Sequence, residues 1–158
     1  MASRPDAPRR AYRIADGRNP IFDGTGAMLY GGRWNSPGRR VIYAAETYAG
    51  ALLEVLVHTN TGRVPKHHAW VEIAIPNDTP VETCDPSAVP GWDHADLVAS
   101  RAFGDAWYDS LRSAILSVPS VVTRHERNLL IHQDHPDFAR ILCSPPAPVQ
   151  WDSRLIIR

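Results

Sequence analysis

Residues 41–58 read Val41-Ile42-Tyr43-Ala44-Ala45-Glu46-Thr47-Tyr48-Ala49-Gly50-Ala51-Leu52-Leu53-Glu54-Val55-Leu56-Val57-His58. The first four residues predict a strand, and Thr47–His58 predicts a helix. At about 100° per residue, Thr47, Gly50, Ala51, Glu54 and His58 fall on one narrow stripe of that helix. Apolar residues cover the rest of its circumference, so the helix is expected to be buried. A carboxylate on the single polar stripe must then face a partner or a cavity, because a lone buried charge is costly. Gly50 and Ala51 leave room beside it. Read alone, Glu54 fits equally well an i,i+4 pair with His58 or a salt bridge to an arginine. A metal site built from Glu54 and His58 has too few ligands.

Upstream, Gly24 to Gly38 reads as a glycine-dotted loop containing Gly31-Gly32-Arg33-Trp34-Asn35. The two glycines allow close backbone approach or a positive φ. Arg33 offers a planar fork of donors suited to a pyrophosphate. Trp34 adds an apolar face and Asn35 a polar anchor. The pattern is neither GxGxxG nor a P-loop, and a tight turn with Trp34 in the core and Arg33 in solvent explains it as well. The joint pattern says more: an arginine in a loop, then Tyr43 on a strand, then Glu54 on the next helix. An aromatic face can stack on a flat nicotinamide, and a fixed carboxylate stabilises the oxocarbenium-like ribose left when nicotinamide departs.

Further out, Tyr12–Ala15 and His68–Ile75 read as strands, the second stopped by Pro76. Residues 77–95 read as loop. Ala99–Leu116 has helical composition with Gly104 as a break, and Ser120–Thr123, Arg140–Cys143 and Leu155–Arg158 read as further strands. This mixed order predicts an α+β fold rather than a doubly wound sheet.

The chain has 158 residues, which fits one domain over residues 1–158, with residues 1–10 as a flexible lead-in rather than a secretory signal. Lys+Arg and Asp+Glu each number 17, and this zero net charge argues against a broad nucleic-acid footprint. Two cysteines and no CxxC pair predict reduced thiols in a cytoplasmic protein. No apolar run reaches the ~20 residues of a membrane span. His132 and His135 lie near Asp134 and Asp137, but without a second ligand cluster they read as a surface loop and not a metal site. Ser120 lacks a nucleophile-elbow context.

The sequence resembles the RES domain, the toxin half of bacterial RES–Xre toxin–antitoxin pairs, including those called ParT–ParS. The pieces that carry the resemblance are Gly31-Gly32-Arg33-Trp34-Asn35, Val41-Ile42-Tyr43-Ala44, Leu53-Glu54-Val55-Leu56-Val57-His58, Val118-Pro119-Ser120, Asn128-Leu129-Leu130-Ile131 and His135-Pro136-Asp137. It implies an ADP-ribosyltransferase-like fold, a bent, split antiparallel core with flanking helices and NAD in its cleft. It also implies cleavage of the nicotinamide–ribose bond by hydrolysis, phosphorolysis or transfer to a protein acceptor, with NAD as substrate and no metal. Arg33 would contact phosphate or ribose, Tyr43 would stack on nicotinamide, and Glu54 would steer the ribosyl cation. Ser120 would bond near the same end, and Arg13, His58 and Asn35 would be neighbours in the NAD site. The implied partner is a helical, Xre-like antitoxin that blocks the cleft in a hetero-oligomer. Where the family carries Asn-Pro before His-Pro-Asp, this chain has His132-Gln133. Two other classes compete: a toxin-like nuclease or RNA-binding module, and a non-catalytic antitoxin-docking domain. The neutral charge speaks against the first, and the presence of Arg33, Glu54 and Ser120 against the second.

Overall fold

The computed structural model describes residues 9–59 and 62–156. Strand β1 (Arg9–Asp16) leads to a short helix α1 (Thr25–Tyr30), strand β2 (Val41–Ala45) and helix α2 (Tyr48–His58). Strands β3 (His68–Ile75) and β4 (Val81–Thr83) precede helix α3 (Val98–Ser110). Strands β5 (Ile115–Pro119), β6 (Arg127–His132), β7 (Leu142–Cys143) and β8 (Ala147–Pro148) complete the set. All eight lie in one sheet, ordered β4-β5-β6-β2-β1-β3-β7, with β8 also on β3. Only β4 and β5 pair in parallel. The architecture is the expected α+β.

The sheet is split at one seam. β1 and β3 pair along the whole of β1, from Arg9↔Ile75 to Asp16↔His68. β1 and β2 pair only at Tyr12↔Ala45. Arg13 sits at that opening, where its guanidinium donates to the carbonyls of Ile21 at 2.7 Å and Tyr43 at 2.9 Å. These bonds close a gap that a strand ladder would otherwise fill, since buried backbone acceptors need partners.

Side-chain alternation along the strands divides the core. Ile42, Ile73, Ile115, Leu129 and Ile131 fill one face. The opposite face carries two separate clusters. One holds Trp34, Trp107, Leu116, Val118 and Leu130 beneath α3 and the Arg33 loop. The other holds Ile14, Ala45 and Ala51, with Tyr12, Tyr48 and Trp70 packed around them, beneath α2.

Several elements differ from expectation. The Gly24–Gly38 stretch contains α1. The Ala99–Leu116 helix stops at Ser110, where Leu111 turns left-handed at φ 55°, and its last part is instead strand β5. Ile115–Val118 are fully buried between β4 and β6, and tertiary pairing overrides their helical composition. Gly104 does not break α3. It lies in mid-helix because the Trp34 backbone passes so close that a Cβ would stand 1.7 Å from its carbonyl oxygen. Ser120–Thr123 is a turn beyond β5. Of Arg140–Cys143 only Leu142–Cys143 is strand; Ser153–Leu155 form a 3-10 turn where the Leu155–Arg158 strand was expected to begin, and residues 157–158 of that strand lie outside the described residues. Arg9 and Arg10 belong to β1 rather than to a lead-in, and the rest of that lead-in lies outside the described residues.

Helix α2 is not buried as its composition predicts. Only Gly50 and Ala51 are buried, while Leu53 and Val57 are 42% and 58% exposed. Its placement comes from small residues: Gly50 approaches Ala45 of β2, so the helix can lie close over the sheet. Thr47 caps it, accepting from the Gly50 N–H at 2.9 Å and donating to Glu126 at 2.6 Å.

Candidate active site

The border between the two clusters on the α2 face is where polar side chains collect. Its floor is the row Ala45–Asn128–Val118 across β2, β6 and β5. Ala45 belongs to one cluster and Val118 to the other. Glu54 reaches down from α2 onto this row. Its Oε1 accepts from Ser120 Oγ at 3.1 Å and from Asn128 Nδ2 at 2.9 Å. Ser120 is fully buried, and its Oγ itself accepts from the Thr123 N–H at 3.0 Å. Oε2 of Glu54 has the His58 imidazole 3.9 Å away, on a side chain that is 79% exposed. One oxygen is therefore held from inside and the other faces outward.

Two residues along from the border row, Tyr43 pairs with Leu130 on the same face. Its hydroxyl donates to Asn35 Oδ1 at 2.6 Å and accepts from the Trp34 N–H at 3.1 Å. Burial pushes the phenol well above its ordinary value. Gly32 has no Cβ because one would stand 2.5 Å from that hydroxyl. With the hydroxyl so committed, Tyr43 has only its ring to offer a ligand.

Asn35 differs from its expected place at the substrate. It is fully buried, and its amide donates to the carbonyls of Ala27, Ser36 and Arg39 at 3.0, 3.1 and 3.3 Å. Its polar atoms are consumed in shaping the loop. Arg33 is half-buried, and its Nη1 donates to the carbonyls of His94 at 3.0 Å and Trp92 at 3.3 Å. Its remaining nitrogens keep their donors. Ser100 and Arg101 of α3 fix the loop by donating to the carbonyls of Arg33 at 2.6 Å and Gly32 at 2.9 Å. Arg13 lies at the β1–β2 seam, and burial lowers its pKa, opposed by Asp23.

Ser120, Glu54 and His58 thus meet as a group, and Tyr43 with the Arg33 loop lines the same face. Asn128 is the member that sequence reading missed. Its signal was a lone amide leading the apolar run Leu129-Leu130-Ile131. His132 is a buried core residue, stacked on Tyr108 with ring centroids 3.6 Å apart. Gln133 accepts from the Gly24 N–H at 2.7 Å, so this departure from the family pattern supports the base of the loop. Among the described residues, no group of three or more His, Cys, Asp or Glu side chains could hold a metal ion, and no helix is long and apolar enough to cross a membrane. A separate groove of about 630 Å³ is lined by Tyr12, Tyr48, Trp70 and Glu72. Its one carboxylate is already paired with Arg10, so the chemistry concentrates at Glu54 instead.

A split α+β sheet with a carboxylate anchored at the border of two clusters defines the class. The RES domain model matches residues 10–152, and the chain belongs to the RES domain family. It is 40% identical over 151 residues to the Prs ADP-ribosylating toxin of Sphingobium sp. (strain YBL2), covering 93% of this chain and 91% of that one. It is 34% identical to Toxin Res of Yersinia enterocolitica, covering 91% and 97%. The fold is shared with a chain of a solved structure, that of the M. tuberculosis MbcT-MbcA toxin-antitoxin complex, at TM-score 0.71 and 17% identity, over 96% of this chain and 88% of the other.

Proposed function

We propose that this chain is the toxin of a toxin–antitoxin pair and consumes NAD by breaking the bond between nicotinamide and ribose. The observation that carries this reading is the half-held carboxylate of Glu54, with one oxygen bonded to Ser120 and Asn128 and the other facing outward. As the C1′–N bond breaks, its electron pair goes to the nicotinamide ring and positive charge grows on the ribose. A carboxylate already fixed in place stabilises that charge without reorganising. The ring of Tyr43 packs against nicotinamide. The spare donors of Arg33 take a phosphate or ribose oxygen, with His58 at the margin of the same site and Arg13 supporting the Tyr43 backbone from the opposite face of the sheet. Ribosyl C1′ then takes water, phosphate or a protein side chain. The names of the relatives support this reading, since one is an ADP-ribosylating toxin.

The partner is an antitoxin, as in the complex formed by the structural neighbour. We take it to be helical and Xre-like and to block the cleft in a hetero-oligomer. The site needs no metal, and NAD is its only cofactor-like ligand. The toxin acts in the cytoplasm, where NAD is found, and the 17:17 charge balance argues against a broad nucleic-acid footprint.

The test is release of nicotinamide from NAD by antitoxin-free protein, with and without inorganic phosphate. Release in both conditions marks hydrolysis, phosphate-dependent release marks phosphorolysis, and labelled protein in lysate marks transfer. No nicotinamide under any of these conditions sinks the reading. Glu54→Gln is expected to lower the rate by about a hundredfold or more, the scale of losing one preorganised electrostatic group.

A further inference from the structure

We infer that Asn128 and Ser120 are a pair of positioning residues that hold one oxygen of Glu54 so that the other is presented to the substrate; this rests on the function proposed above. The direction of the bonds supports it. The Ser120 hydroxyl accepts from the Thr123 N–H and has a single proton, which it gives to Glu54 Oε1. Ser120 is fully buried, so it reaches the substrate only through Glu54. The expected direct contact of Ser120 with NAD becomes an indirect one.

Asn128 supplies the second, independent bond. It lies at the border row, opposite Ala45 on β2 and Val118 on β5. Ala45 is small enough for Gly50 to close on it, and Glu54 stands one helical turn beyond Gly50, within reach of Nδ2 at 2.9 Å. An amide suits this position for two reasons. It donates without titrating, and it adds no charge beside the carboxylate. An aspartate would place two carboxylates within hydrogen-bond distance, where one must protonate or move away. The two anchors come from different elements, the β5–β6 turn and β6 itself. Together they define the plane of the carboxyl group, which one bond alone leaves free to rotate about its axis.

The experiment measures kcat and KM for nicotinamide release by the full chain and by Asn128→Ala, Asn128→Asp, Ser120→Ala and Ser120→Thr. The alanine variants are expected to lose kcat by about tenfold to a hundredfold, the range that one hydrogen bond to a charged group is worth, with KM within about twofold. Asn128→Asp is expected to be the worst of the four, and Ser120→Thr, which keeps the hydroxyl, to recover most of the loss. Unfolding midpoints separate these effects from misfolding. Unchanged kcat in Asn128→Ala, or a loss carried wholly by KM, overturns the inference and leaves the proposed function standing. If the unaltered protein releases no nicotinamide, the proposed function fails first. The pairing is then read from the Asn128 side-chain amide resonances, which are expected to move in Glu54→Ala; resonances that stay in place overturn the inference independently.

Discussion

The Arg33 loop and helix α2 both carry residues that the sequence marks as functional, and they are built in opposite ways. In the loop, Asn35 gives its amide to three carbonyls, Tyr43 locks Trp34 and Asn35, and α3 bonds two loop carbonyls. In α2, only two residues are buried, and Glu54 is held by one oxygen. The loop is largely scaffold, with the spare donors of Arg33 left over. The helix is the working side, fixed at one point and open beyond it. Changes in the loop are therefore expected to cost stability, and changes on α2 to cost activity.

The largest stability loss is expected from Gly104→Ala. The new Cβ would stand 1.7 Å from the Trp34 carbonyl oxygen, a backbone atom with Asn35 and Arg33 next in the chain. Small-to-large changes in packed interiors cost about 1–3 kcal/mol and occasionally more, and a clash with backbone belongs at or above the top of that range. A denaturant midpoint close to that of the unaltered protein would show that the loop and α3 can separate cheaply, and the contrast between rigid loop and open helix would lose its basis.

Glu54→Gln tests the other side. The Gln carbonyl can still accept from Ser120 and Asn128, so stability is expected to change by less than about 1 kcal/mol while the rate falls as stated above. A large loss of stability would mean that α2 depends on the carboxylate as scaffold. Tyr43→Phe falls between the two. It removes the partner of the Trp34 N–H and of Asn35 Oδ1, and buried groups left unsatisfied cost about 1–3 kcal/mol each. The ring that would stack on nicotinamide remains. The expected result is a lower midpoint with KM and kcat nearly unchanged at a temperature where the variant is folded. A loss of activity without loss of stability would place the hydroxyl in the chemistry.

The same contrast explains what could be read from the sequence. Strand β3 matches the expected His68–Ile75, because alternation and Pro76 are local signals. The joint of β2 and α2 was legible too, while Ser120 was placed near Glu54 only through the family resemblance, and as a contact to NAD rather than to the carboxylate itself. Strand β6 was not, because Leu129 to His132 are buried on both faces and show no alternation. Asn128 gains its meaning only when α2 crosses Ala45, a tertiary event with no local trace. Asn35 illustrates the reverse error: its residue type suggests a ligand contact, and burial converts it into a loop anchor.

The smallest expected effect sits at the other end of β6, where the working border gives way to core. His132 is buried, with Nε2 2.9 Å from the Tyr108 carbonyl and Nδ1 accepting from the Asp134 N–H at 3.2 Å. Only the neutral ring with its proton on Nε2 satisfies both bonds, since a proton on Nδ1 would face another donor. Burial accordingly holds its pKa below the ordinary 6.5. The sign follows from linkage. As pH falls through about 6.5 the unfolded chain binds this proton and the folded chain does not, so stability is full above that value and declines below it until the folded-state pKa is reached. Midpoints measured from pH 7 to pH 5 are expected to fall for the unaltered protein. In His132→Gln the fall should be shallower, from a lower starting stability, because the side chain no longer titrates. His68, whose pKa is also lowered chiefly by burial, stays in both proteins and cancels in the difference. Parallel curves would mean that His132 is protonated in the folded protein, and that this end of β6 is as open to water as the end that carries Asn128.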